Sequence, residues 1–304
     1  MQLLTAQLPP HHRIVLASDL HKGSLAHHRK GWSDLIKRVK DEDDLYIALG
    51  GDQQEAILVD DKRFSYHVHD ARKVPLRVAE ELADELSPVA KKILFVLTGN
   101  HELHLQKYGD LTETMCNRIG VPYGHYSTKL AVSSMSSKNP KLHYKLLYTH
   151  GRLRVSSSAD DPVRRLSNMK LSIKRKLQHL AGDCAIMATG HCHLLMHIAP
   201  EFELYLTDDG QQISARYTHG VQVGDYIDPN LRWYCSTGSF LKSFVTGAIT
   251  YSEAAMYQPN QLGYIEIAVT NGKIKDIKDI HIGHDDIIEE ITDEHREERA
   301  TETA

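Results

Sequence analysis

The chain of 304 residues predicts a mixed α/β fold, one domain with an α/β first half and a mostly β second half. Three observations predict it. Short apolar runs rich in β-branched residues recur through the first half, separated by helical patterns. Each run stops at a cluster of glycine and polar side chains. Beyond residue 200 the texture changes to alternating runs joined by Asp-Gly and Asn-Gly. Neither an internal repeat nor a low-complexity linker divides the chain, so residues 1–284 are expected to form one domain, followed by an acidic tail at 285–304.

The strands are expected at "RIVLAS" (13–18), "DLYIAL" (44–49), "KILFVLT" (92–98), "YKLLYT" (144–149) and "AIMAT" (185–189). Their near-continuous apolar character suits strands buried on both faces. Two helices stand out, "ARKVPLRVAEELADEL" (71–86) and "DPVRRLSNMKLSIKRKLQHL" (161–180). The second has Asp161 as its N-cap and Pro162 in the first helical position. Asp209-Gly210 between two alternating runs predicts a hairpin, "LRWYCST" another strand, and Asn271-Gly272 a tight turn within "GYIEIAVTNGKIKDIKDI".

Composition excludes some classes of function. Hydrophobic content of 41% and charged content of 25% are those of a soluble globular protein. No apolar run approaches the roughly 20 residues needed to span a bilayer, and the opening "MQLLTAQLPPHHR" lacks a secretion signal's pattern, so a cytoplasmic location without membrane partners is expected. Cys116, Cys184, Cys192 and Cys235 show no C-x-x-C spacing and read as reduced, packed thiols. The tail "DDIIEEITDEHREERATETA" holds nine acids and two arginines, which leaves residues 1–284 with a net charge of +3. That mild excess suits an anionic substrate and falls short of a dedicated nucleic-acid binder. The tail itself reads as a solvated helix or a disordered end.

The chemistry gathers at the strand ends. "RIVLAS" is followed by Asp19-Leu20-His21, "DLYIAL" by Gly50-Gly51-Asp52-Gln53-Gln54-Glu55, and "KILFVLT" by Gly99-Asn100-His101-Glu102. "YKLLYT" leads to His150-Gly151, and "AIMAT" to Gly190-His191-Cys192-His193. Ligand sites of α/β sheets are built at such positions. In an extended chain His191 and His193 point to the same side, so both reach one small object. Asp, His and Asn donors suit manganese, iron or zinc, and seven of them exceed the four of a closed tetrahedral zinc site. Two cations sharing one carboxylate use all seven. Such a pair, about 3.5–4 Å apart, activates water and clamps the oxygens of an in-line displacement at phosphorus.

The ordered set D-x-H, G-D-x-x-E, G-N-H-E, H-G and G-H-x-H, spread over residues 19–193, resembles the calcineurin-like metallophosphoesterase superfamily. The resemblance implies a four-layer α/β fold, two packed mixed β-sheets flanked by helices, and a dinuclear metal centre. It assigns Asp19, His21 and His193 to one metal, Asn100, His150 and His191 to the other, and Asp52 to both. His101 matches the family's non-ligand histidine that stabilises the transition state and protonates the leaving oxygen. Glu55 falls where relatives carry a carboxylate that orients this histidine, although many of them have aspartate there. Manganese is the expected metal, with iron/zinc pairs also fitting the donors.

Ordinary alternatives stand beside these assignments. Asp19, Asp52 and Asn100 are also turn and capping residue types. With 20 histidines in the chain, an H-x-H can arise by accident; His143 and the "THG" of Thr218-His219-Gly220 compete with His150. His27, His28, His67, His69, His104 and His125 read as surface or packing residues, and Lys22 as an exposed lysine near enough to reach a phosphate oxygen.

The substrate is expected to be a phosphate ester. Between His150 and Gly190 lie Arg152, Arg154, Arg164, Arg165, Lys170, Lys174, Arg175 and Lys176, placed to hold a polyanion or forming a solvated helix face. Ala56-Ile57-Leu58 replaces the D-R-G continuation of the protein serine/threonine phosphatases, which counts against a phosphoprotein substrate. "CSTGSFLKSF" (235–244) is expected to return beneath the site. A phosphodiesterase acting on nucleic acid or nucleotides is favoured, ahead of a phosphomonoesterase. A non-catalytic scaffold is the competing class; it predicts degenerate ligands, and none of the seven is missing.

Overall fold

In the computed structural model, which describes residues 1–283 apart from 62–63, 70–73 and 136–137, strands buried on both faces set the architecture. The chain opens with β1 (Gln2–Leu8), β2 (His12–Ala17), α1 (Arg29–Asp41), β3 (Leu45–Gly50), α2 (Pro75–Leu86) and β4 (Ile93–Leu97). It continues through α3 (Asn100–His104), α4 (Leu111–Ile119), β5 (Ser127–Ser134), β6 (Leu142–Thr149), α5 (Pro162–Leu177) and β7 (Ile186–Thr189). The remainder is β8 (Leu195–Ile198), β9 (Leu204–Asp208), β10 (Ile213–Tyr217), β11 (Trp233–Thr237), α6 (Tyr251–Ala254), β12 (Gly263–Thr270) and β13 (Lys273–His281).

Two mixed sheets pack face to face. One has the order β1-β5-β6-β7-β11-β8 and the other β13-β12-β2-β3-β4. Alternation divides each strand between two cores. Ile14 and Leu16 of β2 join Phe95, Leu146, Ile186 and Ile265 between the sheets, whereas Val15 and Ala17 turn outward to Trp32, Leu35 and Leu82 under α1 and α2. On the far side Ile173 and Leu177 of α5 cover Leu147, Met187 and Tyr234. The result is helix, sheet, sheet, helix, the four layers expected. Burying an apolar side chain contributes roughly 1.5–3 kcal/mol, so both the inter-sheet core and the cores under the helices stabilise the sandwich.

The expected strands form with ends shifted by a residue or two, and Asp161 caps α5 by accepting from the Arg164 N–H at 2.7 Å. The helix expected at 71–86 begins at Pro75. Val74 is extended because a residue before proline is pushed out of the helical region, and residues 71–73 lie outside the described set. Asp209-Gly210 belongs to a four-residue loop rather than a two-residue turn: Asp208 pairs with Ile213, and the Asp209 carboxylate accepts from the N–H groups of Gln211 and Gln212. Asn271-Gly272 is the expected tight turn, with Thr270 opposite Lys273 and both turn residues left-handed. β1, β5, β8 and α1 complete the sheets and layers without having been singled out in the sequence. The acidic tail at 285–304 lies outside the described residues.

Candidate metal centre

Within the five-stranded sheet β2, β3 and β4 run parallel, and within the six-stranded sheet so do β6 and β7. Their C-terminal ends therefore emerge along one edge of the sandwich. The exits are stitched together by backbone bonds: Asp19 N–H donates to Gly51 O, His21 N–H to Asp52 O, and Gly190 N–H to Thr149 O, each at 3.0–3.1 Å. The stretch 235–244 does return against the site, since Phe240 N–H and Ser239 Oγ both donate to Asp19 O.

Sharp exits require unusual backbone. Asp19, His21, Asp52, His191 and His193 all have φ between 50° and 69°. Left-handed backbone is uncommon outside glycine and concentrates at functional sites, where packing holds it in place. This alters one expectation. The two histidines of G-H-x-H do not lie on an extended strand with parallel side chains; β7 ends at Thr189, and the turn sends His193 and His191 to different groups. Two glycines are dictated by proximity. A Cβ on Gly99 would stand 2.0 Å from Asp52 Oδ1, and one on Gly51 would meet His150 Nδ1 at 2.5 Å.

Asp19, His21 and His193 bring one ligand atom each within 4.8 Å of one another, and Asp52, His150 and His191 do the same. His193 Nε2 is 3.1 Å from Asp19 Oδ1. Asp52 Oδ2 is 3.2 Å from His150 Nε2 and 4.0 Å from His21 Nε2, so it lies between the groups. Asn100 Oδ1 is 3.1 Å from His150 Nε2. The structure thus brings all seven sequence-predicted ligand residues together, whereas His143 sits against Gly272 and His219 in the exposed segment after β10.

The donors fit cations. Asp19 Oδ1 and His21 Nε2 are buried with no hydrogen-bond partner, a costly state unless something else satisfies them. Each neighbouring atom is already aimed. His150 Nδ1 donates to Gly50 O at 2.8 Å, which turns Nε2 toward Asn100 Oδ1 and Asp52 Oδ2. Asp19 Oδ2 accepts from the His191 N–H at 3.0 Å and from Ser18 Oγ. Asp52 Oδ1 accepts from the His101 N–H at 2.9 Å. Burial would push the pKa of the Asp52 carboxyl up, but the charges of His150 and His101 hold it well below the usual carboxylate range. Burial likewise opposes protonation of His150, yet Asp52 pushes it up to about 9. In the protein alone, imidazolium carries the countercharge that a divalent cation would supply.

Glu55 is placed differently from the sequence expectation. Its Oε2 accepts from His21 Nδ1 at 2.7 Å and its Oε1 from His69 Nε2 at 3.2 Å, while His101 Nδ1 is 3.9 Å from Oε1. His101 instead donates Nδ1–H to the backbone carbonyl of Glu55. The longer glutamate side chain reaches past His101 to His21. His21, Glu55 and His101 also fall within metal-binding distance of one another, but these hydrogen bonds engage them.

His69 is the residue missed by sequence reading, which left it among the surface and packing histidines. It is 8% exposed, accepts at Nδ1 from the Ser65 N–H at 2.9 Å, and belongs to a segment pinned by Leu25 N–H to Val68 O. Only its tertiary position marks it. Glu102, named in the sequence as part of G-N-H-E but given no role there, accepts at its carboxylate from Gly99 N–H and Gln54 N–H at 3.0 and 2.9 Å, tying the Asn100 and Asp52 loops together. Burial and the charge of Asp52 push it up to about 7. Lys22 pairs with Glu85 at 2.5 Å.

A family model described as calcineurin-like phosphoesterase matches residues 12–210, from the start of β2 to the loop after β9. No curated protein matches the chain.

Proposed function

The chain belongs to the calcineurin-like phosphoesterase family, and on that footing we propose that it is a dinuclear metal-dependent hydrolase of phosphate esters, with phosphodiesters of nucleic acids or nucleotides preferred over monoesters. The observation that carries this reading is the position of Asp52 Oδ2 between His21 and His150, with Asp19 Oδ1 and His21 Nε2 alongside, both buried and without a hydrogen bond.

In this reading Asp19, His21 and His193 hold one divalent cation, Asn100, His150 and His191 a second, and Asp52 both. Manganese, or an iron/zinc pair, suits carboxylate, imidazole and amide donors without thiolate. When bound, the two cations supply Lewis acidity toward a phosphoryl group and a water nucleophile. The remaining work falls to the protein. The His101 N–H fixes Asp52, and the bond from His101 Nδ1 to Glu55 O leaves Nε2 as the atom to stabilise charge on phosphorus and hand a proton to the leaving oxygen. Burial disfavours a charged His101, but Asp52 and Glu55 raise it, so the proton is held ready. Glu55 and His69 keep His21 in the tautomer that leaves Nε2 free.

The diester preference is supported by cationic side chains just beyond a ligand position. Arg152 and Arg154 are exposed two and four residues after His150, and Arg152 lies against Tyr126, whose ring is 5.6 Å from that of His150. Cations there suit a substrate that carries charge on both sides of the cleaved bond. A cytoplasmic setting fits four free cysteines and the fact that, among the described residues, no helix is long and apolar enough to cross a membrane.

A panel of bis-p-nitrophenyl phosphate, p-nitrophenyl phosphate, cyclic nucleotides and labelled single- and double-stranded DNA, assayed with manganese and with chelator, tests the reading. Chelator-sensitive turnover favouring diesters is expected. Turnover confined to p-nitrophenyl phosphate would overturn the diester preference, and none across the panel would favour a scaffold.

A further inference from the structure

The register of the β9–β10 ribbon places Leu204 opposite Tyr217, Leu206 opposite Ala215, and Asp208 opposite Ile213. Residues directly opposite share a face, so Leu204, Leu206, Ile213, Ala215 and Tyr217 form a largely apolar side that Asp208 closes at its loop end, backed by Tyr205, Thr207, Ser214 and Arg216 on the other. That side is uncovered, with Leu206 69% and Ile213 77% exposed. A two-stranded ribbon is marginal in water unless its apolar face packs on something.

A second uncovered surface lies on α5. Val163, Leu166, Ile173 and Leu177 follow one helical stripe; the last two are buried against the six-stranded sheet, whereas Val163 is 73% and Leu166 46% exposed. The stripe outruns the body that covers it. Charge makes the two surfaces complementary. Residues 201–217 contain four acids and one arginine, and α5 contains six cations and no acid. Within one chain they touch at Lys174 and Glu201, 3.6 Å apart, near the base of the ribbon. That contact leaves the apolar side of the ribbon and the first turns of α5 open.

We propose that these surfaces meet between two copies of this chain, the ribbon of each protomer lying on α5 of the other in a two-fold dimer. A two-fold axis repeats the contact, so two modest surfaces add toward the roughly 800 Å² per partner of a stable interface. The lengths agree: five-residue strands span about 17 Å, and the 16-residue helix spans about 24 Å. Apolar side chains supply the burial, while the acids rimming the ribbon and the arginines of α5 set orientation. A partner of uniform charge would satisfy only one of the two surfaces; a second copy satisfies both.

Sedimentation velocity on the full chain, over a concentration series at low and high salt, tests this. The wild type is expected to be a dimer with a micromolar dissociation constant that weakens with salt. I213D, at an exposed position, is expected to be monomeric with an unchanged circular dichroism spectrum. R164E with R165E is expected to weaken the dimer by about tenfold or more, and adding D208K with D209K to restore it. A wild type that stays monomeric at low salt, or a dimer untouched by both I213D and the charge reversals, would overturn the proposal.

Discussion

His21 donates its Nδ1–H to Glu55 Oε2 at 2.7 Å, so the imidazole presents Nε2, a buried atom without a hydrogen-bond partner, toward Asp52. One carboxylate thus fixes the tautomer of a proposed ligand, and the same residue's carbonyl fixes His101. Removing a partner of this kind typically costs 10–100-fold in metal affinity. Glu55→Ala is expected to weaken Mn²⁺ binding to chelator-stripped protein by about that factor in isothermal titration. His69→Phe, which removes a single donor to Glu55, is expected to weaken it less. Unchanged affinity in both variants would leave the network without a role in metal binding.

His101 separates chemistry from metal retention. Its N–H orients Asp52 from the backbone, which substitution leaves in place. His101→Ala is therefore expected to keep two Mn²⁺ per chain while turnover at saturating metal falls by about 10²–10⁴. Full activity in this variant would remove His101 from the mechanism.

Glu102 is expected to matter through stability. It is 3% exposed and satisfies two buried N–H groups. Glu102→Ala leaves both without a partner, at about 1–3 kcal/mol each. Urea unfolding should show a loss of that order, and a loss below 0.5 kcal/mol or so would mean that water replaces the carboxylate.

Acid stability should carry the signature of His27. This ring is 4% exposed and donates from Nδ1 to Leu20 O, and burial lowers it to about 3, with Lys22, Arg29 and His28 adding repulsion. The folded state keeps the ring neutral while the unfolded chain protonates it near 6.5. Stability is therefore lost as pH falls below about 6.5, at about 1.4 kcal/mol per unit until about pH 3. His27→Gln is expected to remove roughly one proton's worth of slope from unfolding free energies measured between pH 6 and 4 or so. An unchanged slope would mean that His27 titrates normally in the fold.

Much of this was legible in the sequence because strands buried on both faces read as apolar runs, and the proposed ligand residues sit where those runs stop. Asp19, Asp52, Asn100 and His150 stood out by their position at strand ends, and the family resemblance supplied the roles assigned to them. The turns themselves could not. The left-handed backbone at His191 and His193 sends neighbouring histidines apart, and it is held by groups distant in sequence, with the His191 N–H on Asp19 Oδ2 and the Gln261 N–H on His193 O. His69 was invisible for a related reason: it meets Glu55 through a loop whose path depends on Leu25 and Val68. β1 escaped notice although Pro9-Pro10 follows it, because its outward residues are exposed at a sheet edge and it carries none of the site's motifs.

The central claim is that one carboxylate, Asp52, is shared by two cations. The most direct test is the metal content of purified wild type and Asp52→Asn after loading with Mn²⁺ and desalting. The account predicts two ions per chain in the wild type and a loss of both, or of tight binding at both, in the variant. A wild type that retains no divalent ion, or an Asp52→Asn protein that still holds two, would contradict it.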